Sequence, residues 1–510
     1  MDHVVYGGVQ GFPLGDFWTL FNRSVERDGD AIALVEGKAE YSYREIREWV
    51  LCVTEGLRQA GVESGRRVGL FMMHGSEPVI SSLALSALGA VFVPIDVQDP
   101  AEKVSYILSS CEIDLVISNS VILAEFADKL GATRCLDFAE LAAFVPPAVA
   151  VIADQSSTQT CPAYVLHTSG TTGVPKGVVI SQAAWMNYTF CVIELLEIGP
   201  TDAVLLAAPY TFDISVMEMG LAFISGARLV VPSYKQTKSP NALAKVLQSQ
   251  GVTVAFLTQR MALAIDPAPL TELRALVLGG ELIIMKTVRR WATQIRKVLN
   301  IYGPTEMTVA PVYYFCDPEL PTNPKVGLPM KNHYAYLVDP SDRNKFISEG
   351  MGEIVLGGAG TSLGYVRRNP KVPDPFGTLP TVSQEYSPRI YHTGDLGYWD
   401  EDGQLIYVGR SDDQVKLNGV RLELTEIDEI INRHPDVSIG VTNILGIGTG
   451  EQRLIAFIKP MRPGYTVDSL IEFLTEHLPR YKVPSKITYV DDFEYSRSGK
   501  LVRPIPQIEE

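Results

Sequence analysis

The sequence predicts an α/β fold with mostly parallel sheets, followed by a small α+β domain. Between about residues 17 and 410, short apolar runs alternate with longer stretches of helical character, as in strand–helix–strand units. Helices that cross between neighbouring strands make those strands parallel. The runs that we expect to form strands are RVGLFMM (67–73), AVFVPID (90–96), DLVISN (114–119), AVLLAAP (203–209), ARLVVP (227–232), TVAFLT (253–258) and RALVLGG (274–280).

The segment from residue 245 to residue 258 shows this alternation most clearly. KVLQSQG (245–251) ends in a glycine, the residue that most easily takes the left-handed conformation after a helix. VTVAFLT (252–258) is apolar and rich in β-branched and aromatic residues. We therefore predict a helix that ends before Gly251, followed directly by a buried strand.

The pattern changes after about residue 410. GRSDDQVKLNGVRLELTEIDEIINRH (409–434) mixes turn residues with a helix that we expect to begin at Thr425. The later segments SIGVTNILGI (438–447), RLIAFIKP (453–460) and SLIEFLTEHLP (469–479) indicate a small unit of strands and helices. We predict an N-terminal domain over 1–410 and a C-terminal domain over 411–510.

Composition and charge exclude several function classes. The 44 Lys and Arg residues against 59 Asp and Glu residues give a net charge of -15, so no basic field is available for nucleic acid or an anionic membrane. The six cysteines are scattered, which argues against a disulfide framework or a zinc site. No signal peptide or membrane-spanning run is evident, and we expect a cytoplasmic protein.

One segment has the composition of a phosphate-binding loop. An apolar strand, YVL (164–166), leads into hydroxyls and glycines, and Lys176 follows. Glycines let backbone N–H groups point inward, hydroxyls donate further hydrogen bonds, and lysine supplies a compact charge. It is not a Walker A motif, because Gly177 follows the lysine. A polar hairpin is the alternative. The expected phosphate contacts are Thr168, Ser169, Gly170, Thr171, Thr172, Gly173 and Lys176.

This loop resembles that of the adenylate-forming enzymes, which include acyl-CoA synthetases, luciferases and nonribosomal peptide adenylation domains. Seven further segments match the family's motifs in the family's order, over nearly the whole chain. The resemblance implies stacked sheets, a small β-barrel-like subdomain, and the use of ATP and Mg²⁺ to convert a carboxylic acid into an acyl-adenylate. The segments are AVFVPIDVQDPAEKVSYIL (90–108), NIYGPTE (300–306), GEIVLGGAGTSLGY (352–365), YHTGDLGYW (391–399), GRSDDQVKLNGVRLELTEID (409–428), LPRYKVPSKI (478–487) and SRSGK (496–500).

The resemblance also assigns roles around the nucleotide. Thr305 is expected near the α-phosphate, and Glu306 is expected to help hold Mg²⁺, a hard cation that prefers oxygen ligands. Without the other motifs, YGPTE would be interpreted as a surface turn. The two glycines of LGGE would suit a strand-to-helix turn as well as a segment that borders adenine. The residues expected around adenine and ribose are Gly279, Gly280, Glu281, Asn300, Tyr302, Gly303, Asp395 and Arg410.

Two residues near the carboxyl end take their roles only from the resemblance. Asp412 matches the hinge about which the C-terminal domain swings. Lys500 matches the catalytic lysine, which would bridge the substrate carboxylate and the α-phosphate and stabilise charge in the transition state. Otherwise they would be a solvated linker residue and a solvated tail residue.

Asp213 points to an amino acid as the acid that is activated. APYTFDISVME (208–218) resembles the peptide-synthetase motif whose aspartate pairs with the substrate ammonium, although an aspartate here would also suit a helix cap. The apolar pocket that the resemblance implies predicts an uncharged aliphatic or aromatic substrate side chain. Its expected lining is Ile214, Met217, Phe256, Val277, Gly279, Ile301, Val309 and Ala310.

The sequence departs from the usual pattern at TQRMALAI (258–265) and in having Met217 where tryptophan is common. Stand-alone enzymes that load β-amino acids for macrolactam polyketides resemble it, as do D-alanine activators. No carrier segment or condensation domain is evident, so we expect a discrete carrier protein with a phosphopantetheine arm, docking near Arg367, Arg368 and Lys371. The rival functions are a CoA ligase for a non-amino acid and a non-catalytic binding protein.

Overall fold

The computed structural model describes residues 4–13, 15–146, 160–168, 175–320, 325–367, 373–380, 382–410, 414–417, 420–446, 452–461, 466–490 and 493. Short 3₁₀ turns lie at Ala127–Leu130, Thr305–Met307 and Arg480–Lys482. The α-helices, in chain order, are α1 (Phe17–Arg27), α2 (Tyr43–Gln59), α3 (Ser76–Ala87), α4 (Ala101–Ser110), α5 (Ser120–Phe126), α6 (Phe138–Ala142), α7 (Gln182–Leu196), α8 (Asp213–Ser225), α9 (Tyr234–Thr237), α10 (Pro240–Ser249), α11 (Gln259–Ala264), α12 (Met285–Ala292), α13 (Leu424–Asn432) and α14 (Asp468–His477).

The strands fall into five sheets within the described residues. In chain order they are β1 (Val5–Tyr6), β2 (Ile32–Glu36), β3 (Ala39–Ser42), β4 (Arg67–Leu70), β5 (Val91–Pro94), β6 (Leu115–Ser118), β7 (Arg134–Asp137), β8 (Pro162–Thr168), β9 (Lys176–Ser181), β10 (Ala203–Leu205), β11 (Arg228–Val231), β12 (Val254–Leu257), β13 (Ala275–Gly279), β14 (Lys297–Tyr302), β15 (Val312–Phe315), β16 (Leu328–Pro329), β17 (His333–Asp339), β18 (Asp342–Ile347), β19 (Gly352–Gly358), β20 (Gly364–Tyr365), β21 (Phe376–Thr378), β22 (Arg389–Trp399), β23 (Leu405–Arg410), β24 (Gln414–Leu417), β25 (Val420–Glu423), β26 (Val437–Leu445), β27 (Arg453–Pro460) and β28 (Lys486–Tyr489).

Two large sheets form the body of the N-terminal part. One has the order β16-β15-β14-β13-β12-β10-β11-β2-β3 and is parallel from β2 to β14, with antiparallel strands at both edges. The other has the order β20-β9-β8-β5-β4-β6-β7, parallel from β8 to β7. Each of the seven runs predicted as strands contains one, and the α/β fold class is confirmed.

The main hydrophobic core draws side chains from both large sheets and from α1, α2, α3, α7 and α8. Helices α7 and α8 are apolar on nearly all sides, as expected of helices packed within a core. Trp185 donates from its indole nitrogen to the carbonyl of Val216 at 3.0 Å. A Cβ on Gly220 would come within 2.7 Å of Thr189 Oγ1, so this glycine lets α7 and α8 approach closely.

A seven-stranded antiparallel sheet follows, in the order β1-β17-β19-β22-β21 with β18 beside β17 and β23 beside β22. We assign to this sheet the small β-barrel-like subdomain that the resemblance implies. This sheet pairs Asp395 of β22 with Arg410 of β23. It thereby brings two predicted nucleotide contacts together.

The C-terminal unit has a core of its own. Helix α13 begins at Leu424, one residue before the predicted start, and packs with β26, β27 and α14 through Ile427, Ile431 and Leu474. Earlier in the chain, α10 ends at Ser249, and Gly251 follows with φ of 55°, as its sequence predicted. The proposed division at residue 410 stays a prediction.

Candidate active site

The antiparallel pair β8–β9 brings together the two ends of the predicted phosphate loop. Thr168, the last residue of β8, lies opposite Lys176, the first residue of β9. The Lys176 ammonium lies 5.7 Å from the centre of the Tyr365 ring, within the range of a cation–π contact. The other predicted phosphate contacts lie outside the described residues and stay predictions: Ser169, Gly170, Thr171, Thr172 and Gly173.

His167, next to this loop, is a neutral packing residue. Its Nε2 lies 3.7 Å from the Cys111 sulfur. Burial lowers the pKa of His167 to about 3 and raises the pKa of the Cys111 thiol to about 11. At neutral pH the imidazole is therefore uncharged and the thiol keeps its proton, so the pair supplies neither a phosphate-binding charge nor a nucleophile.

Tyr302 at the end of β14, Asp395 within β22 and Arg410 at the end of β23 form a buried group. The Tyr302 hydroxyl donates to Asp395 Oδ2 at 2.6 Å, and Arg410 Nη1 donates to Asp395 Oδ1 at 2.6 Å. Burial, together with the Asp395 charge, raises the pKa of Tyr302 well above its usual value, so the phenol stays a donor. A carboxylate has about four lone-pair sites, so Asp395 retains the capacity to accept ribose hydroxyls beside these two donors.

The local backbone requires a glycine at both positions before Glu281. A Cβ on Gly279 would lie 2.8 Å from the carbonyl oxygen of Ile301 on the neighbouring strand β14. Gly280 has φ of 81°, in the left-handed region. These observations support the turn interpretation, and contact with adenine stays a prediction for both residues.

Two other residues that were predicted to bind the nucleotide form hydrogen bonds to the protein's own backbone. Glu281 Oε1 accepts from the backbone N–H of Gln259 at 3.0 Å. Asn300 Nδ2 donates to the carbonyl of Lys325 at 2.9 Å.

The Gln259 side chain also bonds Thr287 and accepts from the N–H of Ile284. The unusual segment TQRMALAI is thus a short helix, α11, tied to its surroundings by Glu281 and Thr287.

The predicted substrate aspartate meets the predicted α-phosphate residue. Asp213 is the first residue of α8, and the N-cap is Phe212, whose carbonyl accepts from the N–H of Ser215 at 3.0 Å. The Asp213 side chain instead accepts a hydrogen bond from Thr305 Oγ1 at 2.6 Å. Asp213 is therefore not the cap of α8. It lies where it favours the helix dipole and faces the 3₁₀ turn Thr305–Met307.

The backbone after this turn is strained. Thr308 and Val309 have φ of 58° and 68°, a conformation that is an outlier for a β-branched residue such as valine. The Thr308 hydroxyl donates to the carbonyl of Gly360 at 2.7 Å and helps to fix the conformation. Gly303 is required before the turn, because a Cβ there would overlap Pro311. Strain of this kind concentrates at functional sites.

The predicted pocket residues come together. β12 pairs Phe256 with Val277 of β13, and β13 pairs Gly279 with Ile301 of β14, so three parallel strands contribute neighbouring side chains. One buried cluster includes them, with Ile214 packed against it: Met217, Phe256, Val277, Ile301, Val309 and Ala310.

Sequence reasoning missed two tyrosines beside this pocket. The Tyr188 hydroxyl donates to the sulfur of Met217 at 3.4 Å. Burial and the nearby Asp213 charge raise the pKa of both Tyr164 and Tyr188 well above the usual value. Both phenols therefore lie near Asp213, and the wholly apolar lining stays a prediction. Only the packing of β8 and α7 against α8 brings these phenols close, and no motif marks them.

Glu306 is the candidate metal ligand. It is 1% exposed, and its Oε1 accepts from the Tyr365 hydroxyl at 2.8 Å. No group of three or more His, Cys, Asp or Glu residues suited to a metal is present among the described residues. One carboxylate fits Mg²⁺ that is shared with a nucleotide, because this ion is usually held by one or two carboxylates together with substrate phosphates. It does not fit a metal held by protein alone.

The model of the AMP-binding enzyme family matches residues 21–366, and that of the AMP-binding enzyme C-terminal domain matches residues 426–500. The chain belongs to the AMP-binding enzyme family. It is an adenylate-forming ligase, and enzymes of this family use ATP.

Curated relatives of this AMP-binding enzyme are much longer proteins. It is 32% identical over 501 residues to a linear gramicidin synthase of Brevibacillus parabrevis, covering 95% of this chain and 10% of that one. It is 30% identical over 492 residues to the dimodular nonribosomal peptide synthase of Bacillus subtilis (strain 168), covering 95% and 20%. This chain therefore corresponds to one part of each relative.

Solved structures share the fold. An artificially fused adenylation–PCP di-domain NRPS from Klebsiella oxytoca matches with a TM-score of 0.82 and 24% identity, over 94% of both chains. The o-succinylbenzoate CoA synthetase of Bacillus subtilis matches with a TM-score of 0.82 and 19% identity, over 96% of this chain and 98% of that one.

Several predicted residues of the AMP-binding enzyme cannot be placed. Asp412, Lys500, Arg368 and Lys371 lie outside the described residues, and their roles stay predictions. Arg367 is placed, and its guanidinium donates to the carbonyl of Ser109 at 3.0 Å. Among the helices of the described segments, none is both long enough and apolar enough to cross a bilayer.

Proposed function

We propose that this enzyme activates an amino acid with an apolar side chain as its aminoacyl-adenylate and passes it to the phosphopantetheine thiol of a carrier protein. The observation that carries the proposal is the 2.6 Å hydrogen bond from Thr305 to Asp213. An ammonium paired with Asp213 would place the carboxylate of a short amino acid close to the residue expected at the α-phosphate. This contact thus joins the residue expected to bind the substrate ammonium to the residue expected near the α-phosphate.

The surroundings of Asp213 favour an amine over a neutral group. Asp213 is half-buried, and its neighbour Ile214 packs against the apolar cluster that contains Met217 and Val309. A charge in such surroundings is stabilised by an opposite charge, which an amino acid supplies and a fatty or aryl acid does not. The apolar cluster in turn suits an aliphatic or aromatic side chain.

The chemistry has two halves. The substrate carboxylate, ionised at neutral pH, attacks the α-phosphorus of ATP, and the bond to pyrophosphate breaks. The carrier thiol then attacks the acyl carbon, and AMP leaves. Bound Mg²⁺ would neutralise charge on the phosphates. Glu306 would help hold the ion, Asp395 and Arg410 would hold the ribose, and Lys500 would stabilise the charge that develops between carboxylate and phosphate.

Similar proteins support the acceptor and the substrate class. Neighbours in fold contain adenylation and PCP domains together, and a four-domain nonribosomal peptide synthetase was solved with AMP and glycine; it is 25% identical, with a TM-score of 0.70, over 99% of this chain and 37% of that one. We propose that a discrete carrier protein and an amino acid take these places here. The α or β position of the amine, the macrolactam subgroup and the cytoplasmic location also stay proposals.

The alternative is an acyl-CoA synthetase that acts on a non-amino acid. The fold is shared with a CoA synthetase, so the fold does not separate the two functions. Asp213 favours the amino acid, because a carboxylate beside the pocket would repel a substrate that carries only a carboxylate.

Amino-acid-dependent exchange of pyrophosphate into ATP tests the first half-reaction, over a panel of α- and β-amino acids with matched deaminated acids. We expect exchange with amino acids that have apolar side chains and none with the deaminated acids. Asp213→Asn should lose exchange with every amino acid. Asp468→Asn is the control, because Asp468 is also the first residue of a helix, α14, in the other unit. Equal exchange with deaminated acids would overturn the proposal.

The acceptor is tested separately. The loaded enzyme is offered either CoA or a pantetheinylated carrier protein, and the thioester is detected by mass spectrometry. We expect transfer to the carrier to be much faster than transfer to CoA. The reverse order would establish the CoA synthetase alternative.

A further inference from the structure

Tyr365 contacts the candidate metal ligand, and the sequence assigned it no role. Its hydroxyl donates to Glu306 Oε1 at 2.8 Å and also bonds the Tyr391 hydroxyl. A carboxylate oxygen can only accept, so the Tyr365 hydroxyl is the donor in this contact.

The same side chain also meets the phosphate loop. The Lys176 ammonium lies 5.7 Å from the centre of the Tyr365 ring. The ring also packs edge to face with Phe376, with centroids 5.3 Å apart. An aromatic face attracts a cation, so the ring gives the lysine a preferred position. One residue thus touches both the carboxylate and the ammonium expected around the ATP phosphates.

The backbone fixes Tyr365 from both sides. Strand β20 pairs Tyr365 with Val178 of β9, and Val366 N donates to the carbonyl of Gly177 at 2.8 Å. Just before the strand, Ser362 N donates to the carbonyl of Glu306 at 2.9 Å. These bonds tie the short strand both to the lysine-bearing strand and to the turn that carries Glu306.

We propose that Tyr365 is a positioning residue, whose hydroxyl orients Glu306 toward a nucleotide-bound Mg²⁺ and whose ring sets the place of the Lys176 ammonium. The spacing between the magnesium ligand and the phosphate-binding lysine is then fixed by one rigid side chain. This inference rests on the proposed function for the identity of the ligand. A residue that supports a metal ligand in this way typically changes metal affinity by about 10–100-fold when it is lost.

Two substitutions of Tyr365 distinguish its contact with Glu306 from its contact with Lys176. Tyr365→Phe removes the hydroxyl from Glu306 and keeps the ring near Lys176, whereas Tyr365→Leu removes both. The control is Tyr336→Phe, which deletes the hydroxyl of another buried tyrosine, on β17, that stacks on Phe346. A tyrosine that served packing alone would tolerate the change to phenylalanine without any effect on metal binding.

The test measures Mn²⁺ binding by electron paramagnetic resonance, with the non-hydrolysable analogue α,β-methylene-ATP bound to the enzyme. We expect Tyr365→Phe to weaken Mn²⁺ binding by about 10-fold, and Tyr336→Phe to change it less than twofold. In EDTA, Tyr365→Leu should bind the analogue several-fold more weakly than Tyr365→Phe does. In turnover, excess Mg²⁺ should partly rescue Tyr365→Phe. Mn²⁺ binding by Tyr365→Phe within twofold of wild type would overturn the proposal.

Failure of this inference differs from failure of the proposed function. If the wild-type enzyme binds Mn²⁺ with the analogue but activates no amino acid, only the substrate assignment fails.

If Tyr365→Phe does not fold, as judged by circular dichroism, Tyr391→Phe provides the measurement, because it removes the second partner of the Tyr365 hydroxyl. We then expect about threefold weaker Mn²⁺ binding, and no change would count against the role of Tyr365.

Discussion

Thr305 donates its hydroxyl proton to Asp213, with 2.6 Å between the oxygens. The two residues are far apart in the chain, one in the turn after β14 and the other at the start of α8. A hydroxyl has one proton to donate, so Thr305 cannot donate to Asp213 and to a phosphate oxygen at the same time. A phosphate oxygen would therefore compete with Asp213 for the Thr305 hydroxyl.

Thr305→Val should therefore lower kcat/KM for amino-acid-dependent pyrophosphate exchange. Hydrogen bonds to charged groups contribute about 1.5–3 kcal/mol, which corresponds to roughly 10- to 100-fold in a rate constant. Thr305→Ser keeps the hydroxyl and should stay within about threefold of wild type. If valine and serine behave alike, the hydroxyl has no part in the reaction.

Tyr302→Phe should destabilise the fold and weaken AMP binding together. Asp395 is buried and would lose one of its two donors, a change that costs about 1–3 kcal/mol when a buried acceptor is left short of a partner. The free energy of unfolding is measured by urea titration, and AMP affinity by calorimetry. Tyr336→Phe again serves as the buried-tyrosine control. An unchanged urea midpoint would show that the bond from Tyr302 contributes nothing to stability.

His333→Gln should make stability less sensitive to acid. Burial lowers the pKa of His333 to about 4 from the usual 6.5. Below pH 6.5 the unfolded chain takes up a proton at this residue, whereas the folded chain does not until about pH 4. The wild type should thus lose up to about 1.4 kcal/mol per pH unit relative to the variant as pH falls through this window.

Urea titrations of both proteins between pH 7.5 and pH 4.5 check this difference. The comparison removes the contribution of other groups, such as the buried carboxyl of Glu218, whose raised pKa acts in the opposite direction. A constant difference in unfolding free energy across the range would show that His333 does not titrate as expected.

Lys482→Met should destabilise the C-terminal unit. Lys482 bonds both carboxylate oxygens of Glu426 at 2.6 Å, and the two side chains are 4% and 12% exposed. Removing one partner of such a pair costs about 3–5 kcal/mol, because the other charge is left buried. The double variant Glu426→Gln, Lys482→Met should recover much of the loss. Thermal unfolding of the four proteins of this cycle gives the coupling directly, and additive losses would refute it.

The residue pattern of single segments was sufficient to predict where several strands and helices lie. The run 274–280 is apolar and ends in two glycines, and it forms β13, which ends at Gly279. The helix before Gly251 ends where its residues indicate, because the left-handed turn depends on local backbone preference. The resemblance to the family predicted Phe256, Val277 and Ile301 as pocket residues, and parallel strands in register bring them together.

What the sequence alone determined is the family chemistry: the order of its motifs identifies an adenylate-forming enzyme and predicts most of the residues expected around ATP. The tertiary structure decided how those residues meet, because hydrogen bonds such as Thr305–Asp213 and Tyr365–Glu306 join segments that are distant in the chain. It also showed that Phe212, and not Asp213, is the N-cap of α8, and it brought Tyr365 next to both Glu306 and Lys176. These contacts depend on the packing of whole sheets and helices, which no local pattern encodes.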